Sequence, residues 1–309
     1  MSAPHRELRA GGRRLSLGER PLLMGVVNAS PDSFSDPGQT PSLDSQVARA
    51  DDLVRAGAAV VDVGGESGVT DRPPVDPQEE IERIVPLVDR VARELGVLVS
   101  VDTYKPAVAQ AAIAAGAEMV NDVSGLRDPA LAEVCARTGS ALVVTHTVAA
   151  PKQKVLDHPY EDVAADVAGF LRERIELARR RGVAFEQLVL DPGPDFGKSP
   201  AQTVETLIAL PALHRLGRPL LLAVSRKDFV GALTGRPPGQ RLAGTLAALA
   251  YGVEAGAHLL RVHDVAAAAD FLAVRAALRG ELEVPAGLSL APELRREPRP
   301  DGPEAASAA

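Results

Sequence analysis

Residues able to bind or turn over a small molecule recur at the ends of short apolar runs along this chain. Asn28 ends the run LLMGVV (22–27), Asp62 lies in AVVDV (59–63), Asp102 follows VLVSV (97–101) and Asn121-Asp122 closes EMVN (118–121). His146 follows ALVVT (141–145), Asp191 closes LVLD (188–191), Ser225-Arg226-Lys227 follows PLLLAV (219–224), and Arg261 and His263 mark the end of HLLRV (258–262). Two chemistries separate in this set. Asp102, Asn121, Asp191 and Lys227 suit a flat heterocycle with a guanidine-like edge. Their oxygens accept from ring N–H and exocyclic NH₂ groups, and the ammonium donates to a ring nitrogen or carbonyl. Arg226, Arg261 and His263 suit a diphosphate. Mg²⁺ prefers oxygen ligands shared with substrate phosphates and water, so an ion carried by that diphosphate fits beside Asn28.

These residues act together only if the fold brings the ends of the runs to one place. Each run is β-branched and short, and an Ala-rich amphipathic stretch follows it, at 42–56, 77–95, 105–115, 129–138, 160–182, 201–210, 240–255 and 264–279. Asp76-Pro77 and Asp128-Pro129 are helix start signals, and Gly57, Gly96, Gly116, Gly139, Gly182 and Gly256 punctuate the far ends. Eight such units predict an α/β protein of the (β/α)₈ TIM-barrel class; an open doubly wound sheet, the rival, usually has fewer strands. Active sites of such barrels lie at the C-terminal ends of the strands, phosphates often at the seventh and eighth, and the first strand adjoins the eighth on closure. The segment RELRAGGRRLSL (6–17) predicts a short hairpin around Gly11-Gly12 that plugs the bottom of the barrel. Residues 1–285 are expected to form this single domain, and 286–309, rich in Pro, Ala and charge, a disordered tail.

Each residue taken alone also has a plain structural reading. Asp102, before Thr-Tyr-Lys, can be a cap for the next helix. Asp62, inside an apolar run, can be a buried structural partner, and His146 a satisfied core histidine. The constellation carries more than its members, because packing alone rarely places polar groups at eight strand ends.

Composition narrows the classes further. Hydrophobic residues make up 46% of the chain and aromatics 3%, so the core is built from Val, Leu, Ile and Ala, the diet of parallel strands covered on both faces. A net charge of −7 with no basic tract argues against a nucleic-acid partner. No stretch resembles a signal peptide or a membrane span, and the single Cys135 excludes an internal disulfide, so a reducing cytoplasm is expected.

Longer motifs resemble one family. MGVVNASPDSFSDPG (24–38) resembles the first signature of the dihydropteroate synthases and DVGGES (62–67) the start of the second. SVDTYKPAVAQAAIAAGAEMVNDVSG (100–125), LDPGPDFGK (190–198), SRKDFVG (225–231) and LLRVHDV (259–265) resemble further family segments in the expected order, over roughly residues 20–280. The resemblance implies condensation of 6-hydroxymethyl-7,8-dihydropterin diphosphate with p-aminobenzoate, giving 7,8-dihydropteroate and pyrophosphate for folate synthesis. It implies pterin contacts from Asp102, Asn121, Asp191 and Lys227, and places Phe196 near the pterin and the aminobenzoate ring. It also implies diphosphate contacts from Asn28, Arg261 and His263, Mg²⁺ at Asn28, p-aminobenzoate placement by Ser225, and a homodimer. Lys227, Asp102, Asp191 and Arg261 are the residues expected to matter most for turnover.

Three positions depart from the family pattern. The second loop, usually Ser-Thr-Arg-Pro-Gly, continues here from Ser67 as Gly68-Val69-Thr70-Asp71-Arg72-Pro73, with Arg72 offering a guanidinium from a shifted position. The Met-His-Met-x-Gly motif is here Thr145-His146-Thr147-Val148-Ala149. Asp195 stands where glycine is usual beside the pterin and is expected to add a side chain there. Two alternatives stay open at this point: a catalytically silent pterin-binding paralogue, and a pterin-dependent methyltransferase-type barrel.

Overall fold

A computed structural model of the chain describes residues 3–18, 20–29, 42–67, 73–153, 155 and 158–296. Gly11-Gly12 turns an antiparallel hairpin, β1 (Arg6–Ala10) and β2 (Arg13–Leu17), as the sequence predicts. Eight parallel strands follow: β3 (Leu22–Asn28), β4 (Ala58–Gly64), β5 (Leu98–Asp102), β6 (Met119–Asp122), β7 (Ala141–Thr145), β8 (Leu188–Asp191), β9 (Leu221–Leu222) and β10 (Leu259–Val262). They pair in the order β8-β7-β6-β5-β4-β3-β10-β9. The outermost two meet at a parallel bridge between Leu190 and Leu220, and the Leu190 N–H donates to Pro219 O at 2.9 Å. The sheet thereby closes as a (β/α)₈ barrel.

The helices alternate with the strands: α1 (Leu43–Arg55), α2 (Pro77–Leu95), α3 (Pro106–Ala114), α4 (Ala130–Thr138), α5 (Val163–Arg180), α6 (Pro200–Ile208), α7 (Leu210–Leu213), α8 (Asp228–Thr234), α9 (Leu242–Glu254) and α10 (Val265–Leu278). Sequence signals set several boundaries. Asp76 caps α2 by accepting from Gln78 N at 2.8 Å with Pro77 at the first helical position, and Gly96 ends it in the left-handed conformation. The other glycines predicted as stops also have positive φ. Helix α5 starts three residues later than the apolar pattern suggests, because the Asp162 side chain accepts from Ala165 N and fixes the first turn there.

Two elements depart from expectation. The apolar run 219–224 gives only a two-residue strand, β9. Pro219 has no N–H, and the Leu220 N–H donates to His258 Nδ1 at 3.1 Å instead of to a neighbouring strand. The short helix α8, just after the expected site residues 225–227, is absent from the sequence-based expectation; its origin lies in another loop, described below.

The strands divide the barrel interior into two levels. Met24, Val60, Leu98, Met119, Ala141, Val143, Val189, Leu221, Ala223 and Leu259 form one apolar cluster with Leu8, Ala10 and Leu17 of the hairpin. The hairpin therefore seals the N-terminal end, and truncating the fully buried Leu8 or Leu17 to Ala costs about 2–5 kcal/mol. By its internal contacts the chain divides into two compact units, Met1–Ala269 and Asp270–Ala309. Of the tail expected from residue 286, the described part contains a 3₁₀ turn at Pro292–Leu294, and residues 297–309 lie outside the described set. Among the described residues no helix is long and apolar enough to cross a membrane.

Candidate active site

Side chains alternate along a strand, so positions two or four residues beyond the apolar interior residues also face the interior, nearer the C-terminal mouth. Those positions are Asn28, Asp62, Ser100 with Asp102, Asn121, Thr145, Asp191, Ser225, and Arg261 with His263. An apolar floor thus gives way to a polar ring. The same parity turns Asp122 and His146 away from it. Asp122 accepts from Ser124 N at 2.8 Å and Leu126 N at 2.5 Å, holding the loop after β6. His146 is buried with Nδ1 2.8 Å from Lys198 Nζ, and desolvation holds its pKa down at about 3, so it is a satisfied core histidine.

Arg261 organises one side of the ring. Its Nε donates to Asp62 Oδ2 and its Nη2 to Asp102 Oδ2, both at 2.7 Å. Asn121 Nδ2 donates to the same Asp62 oxygen at 3.0 Å. Asp62 is thus a buried structural partner as well as a ring member, and its Oδ1, like Asn121 Oδ1, is buried without a hydrogen-bond partner. Asp102 does not cap α3, whose N-cap, Lys105, makes no side-chain capping bond. Burial lifts the Asp102 carboxyl to about 7 despite the opposing pull of Arg261.

The loop after β8 supplies the opposite side. Asp191 Oδ1 accepts from Gly193 N at 2.8 Å. Gly193 has φ +65 and lies so close to His146 O that a Cβ would stand 2.0 Å from it, so only glycine fits. Lys227 Nζ donates to Pro194 O at 3.0 Å and lies 4.3 Å from the centroid of the Phe196 ring. Burial raises the Asp191 pKa and lowers that of Lys227; each offsets the other through its charge. Lys198 Nζ also donates to Gly193 O at 2.8 Å and Phe196 O at 3.3 Å, and burial brings its pKa down to about 7.

Asp195 corrects one expectation. Its carboxylate is committed elsewhere: Oδ2 accepts from Asp228 N at 2.6 Å and Phe229 N at 3.3 Å, and Oδ1 accepts from Thr203 Oγ1 at 3.1 Å. It supplies the missing cap of α8, at a φ of +63 that Asp tolerates better than most residues. This cap comes from a loop 33 residues away, so no local signal announces α8.

On the diphosphate side, His263 and Ser225 come together and Arg226 does not join them. Ser225 Oγ accepts from His263 N at 3.2 Å and lies 3.0 Å from His263 Nδ1, so the hydroxyl fixes the orientation of the ring. Burial and the charge of Arg261 hold the imidazole at about 4, so it is neutral near pH 7. Arg226 turns outward in a two-pronged pair with Asp264, at 3.0 and 2.6 Å. Asn28 pairs with Gly64 across β3 and β4, and Gly64 pairs with Asp102. A Cβ on Gly64 would meet Asn28 Oδ1 at 3.5 Å and Asp102 Cβ at 3.6 Å, so its absence leaves the two side chains a shared notch. The loop 30–41 and residues 68–72, including Arg72, lie outside the described residues.

A second network escapes the sequence patterns. Glu66, in the loop after β4, accepts from Lys105 Nζ at 2.6 Å, Val75 N at 2.8 Å and Tyr104 OH at 3.1 Å, and Lys152 Nζ lies 3.3 Å from it. Lys105 also pairs with buried Glu80 at 2.5 Å, and Lys152 donates to Ser67 O. Loops after β4, β5 and β7 are thereby tied together around the mouth. These residues have no shared spacing in sequence, whereas Ser100 and Thr145, also unremarked by their types, were within reach of strand parity.

Comparison with known proteins agrees with this geometry. The family described as "Pterin binding enzyme" matches residues 24–263. Dihydropteroate synthase of Escherichia coli (strain K12) is 39% identical over 259 residues, covering 84% of this chain and 92% of the relative. That of Bacillus subtilis (strain 168) is 38% identical over 252 residues, covering 81% and 86%. The Xanthomonas albilineans dihydropteroate synthase solved with 4-aminobenzoic acid superimposes with a TM-score of 0.83 at 42% identity, over 91% of this chain and 100% of its own. The same enzyme with 7,8-dihydropteroate gives 0.80, over 90% and 100%. The chain belongs to the pterin binding enzyme family, among the dihydropteroate synthases.

Proposed function

We propose that the polar ring at the barrel mouth is the pterin diphosphate site. The activity is that of a dihydropteroate synthase, a transferase that condenses 6-hydroxymethyl-7,8-dihydropterin diphosphate with p-aminobenzoate and releases pyrophosphate. The observation that carries the site is the pair of buried acceptors without partners, Asp62 Oδ1 and Asn121 Oδ1, beside Asp102. Buried polar atoms ordinarily have partners, and a ligand edge rich in N–H would satisfy these. Asp191 and Lys227 face the heterocycle from the other side, and Phe196 stacks near it. Neutral His263 and Asn28 receive the diphosphate, and Ser225 helps place the amine. Arg261 ties the pterin carboxylates to the phosphate side.

The pterin's exocyclic CH₂–O bond breaks and its electron pair leaves with pyrophosphate. The neutral aniline nitrogen attacks the cation-like carbon and then sheds its proton to solvent. Little general-base work is needed; positioning and stabilisation of the leaving group dominate. Asn28 Oδ1, beside the notch at Gly64, is a hard oxygen donor of the kind Mg²⁺ takes, and it would hold an ion carried chiefly by the diphosphate and water. When bound, such an ion neutralises charge on the leaving oxygens. We assign the protein to the cytoplasm, where its buried free Cys135, with a thiol pKa pushed up to about 12, stays reduced. A homodimer is supported by exposed apolar side chains such as Ile208 and Leu233.

The test is pyrophosphate release and pterin product measured together, with and without p-aminobenzoate and with and without Mg²⁺. Dihydropteroate formed only with both supports the assignment, and Lys227→Ala should abolish it. Unchanged kinetics in that variant would show that the pocket is misplaced.

A further inference from the structure

We propose that Thr145 contacts the substrate directly, its hydroxyl hydrogen-bonding the bound heterocycle. The proposal rests on the pterin-site reading above and adds a residue to it. Thr145 is the last residue of β7, in the alternate register that places Ala141 and Val143 in the interior cluster. Its side chain is therefore the next one inward, toward the mouth. Across the ladders its backbone pairs with Asp191, and Val143, two residues earlier, pairs with Asn121. Thr145 thus stands between two groups already placed in the pterin site.

The side chain is fully buried, yet Oγ1 has no hydrogen-bond partner. Cγ2 lies against Gly193, 3.3 Å from where a Cβ on that glycine would be. The methyl group, not the hydroxyl, is thus the part of Thr145 nearest Gly193. Valine has the same shape without the hydroxyl and suits a buried strand better. A buried hydroxyl left without a partner is destabilising, so its presence in this layer fits a partner that arrives with the substrate.

Two measurements on the full chain test this. Binding of 6-hydroxymethyl-7,8-dihydropterin diphosphate, without amine, is titrated calorimetrically into wild type, Thr145→Val and Thr145→Ser, and each ligand-free protein is melted. Loss of one neutral hydrogen bond should weaken binding to Thr145→Val by about three- to tenfold, with Thr145→Ser close to wild type. Ligand-free Thr145→Val should melt at the same temperature as wild type or higher. Equal binding by wild type and Thr145→Val overturns the proposal, as does an equal loss in Thr145→Ser. A lower melting temperature for ligand-free Thr145→Val also overturns it, since the hydroxyl would then serve the fold. If wild type itself does not bind the diphosphate, the pterin site is wrong and the proposal falls with it; that result differs from wild-type binding that Thr145→Val leaves unchanged.

Discussion

Arg261 on β10 donates to Asp102 on β5 across the barrel mouth, 2.7 Å from Nη2 to Oδ2, while its Nε holds fully buried Asp62 at the same distance. One guanidinium therefore joins two carboxylates through two nitrogens of a rigid fork, which a lysine cannot reproduce. Arg261→Met leaves Asp62 buried and uncompensated and is expected to cost about 3–5 kcal/mol. Arg261→Lys should lose less stability but still lose much of kcat/KM. Urea unfolding with parallel kinetics checks both; a methionine variant within 1 kcal/mol of wild type, of order RT, would mean the pair is dispensable.

Asp102, raised by burial to about 7, gives pterin affinity a pH dependence of definite sign. A heterocycle that donates N–H groups selects the ionised carboxylate, so affinity should fall as pH drops below about 7, approaching tenfold per unit. Binding at pH 6 should release a proton, detectable by calorimetry in buffers of different ionisation enthalpy. Asp102→Asn should flatten the profile. If wild type and Asp102→Asn change in parallel with pH, the titration belongs to another group.

Asp195 ends with its carboxylate on the first amides of α8. Asp195→Gly removes a cap and relieves a positive φ, two effects of opposite sign. The cap is the larger, so a net loss of about 1 kcal/mol is expected, with Asp195→Asn closer to wild type. Pterin affinity should change little in either variant. Thermal melts and titration decide it, and a large drop in affinity for Asp195→Asn would return the side chain to the pocket.

Lys105 bridges Glu66 and Glu80 where all three side chains are mostly buried. Lys105→Met leaves two like charges facing each other, and a loss of about 3–5 kcal/mol is expected. The triple change Lys105→Met, Glu66→Gln, Glu80→Gln should recover part of it. Recovery of KM in the triple variant would separate a role in loop placement from simple loss of fold, whereas a stable single variant would remove the network from the account.

His258 links the hairpin end to β9: Nδ1 accepts from Leu220 N and Nε2–H donates to Pro4 O at 2.8 Å. Protonating Nδ1 breaks the first bond, and burial accordingly holds the pKa near 4, below the ordinary 6.5. A depressed pKa confers stability that is complete above pH 6.5 and disappears as pH falls through about 4. Relative to His258→Gln, wild type should lose up to about 3 kcal/mol across that window. Chemical unfolding of both proteins at pH 7 and pH 4.5 reads the difference; a constant gap between them would count against it.

Much of this protein was legible in its residues because the signals are local. Short continuous apolar runs, amphipathic stretches and glycines at helix ends specify strands, helices and stops without distant help, and eight repeats leave a closed barrel as the natural architecture. Topology then sends the ends of all eight strands to one mouth, so Asp102, Asn121, Asp191, Ser225, Arg261 and His263 could be named before their distances were known. Tertiary structure decided what depends on partners far apart in sequence. The pairing of Arg226 with Asp264 removed one cation from the site, and Asp195 turned from the pocket to cap a helix with no cap of its own. The Glu66–Lys105–Lys152 network and the buried hydroxyl of Thr145 acquired meaning the same way. A side chain's type states which bonds it can make; only the closed barrel fixes which partners lie within 3 Å and which buried atoms are left for the substrate.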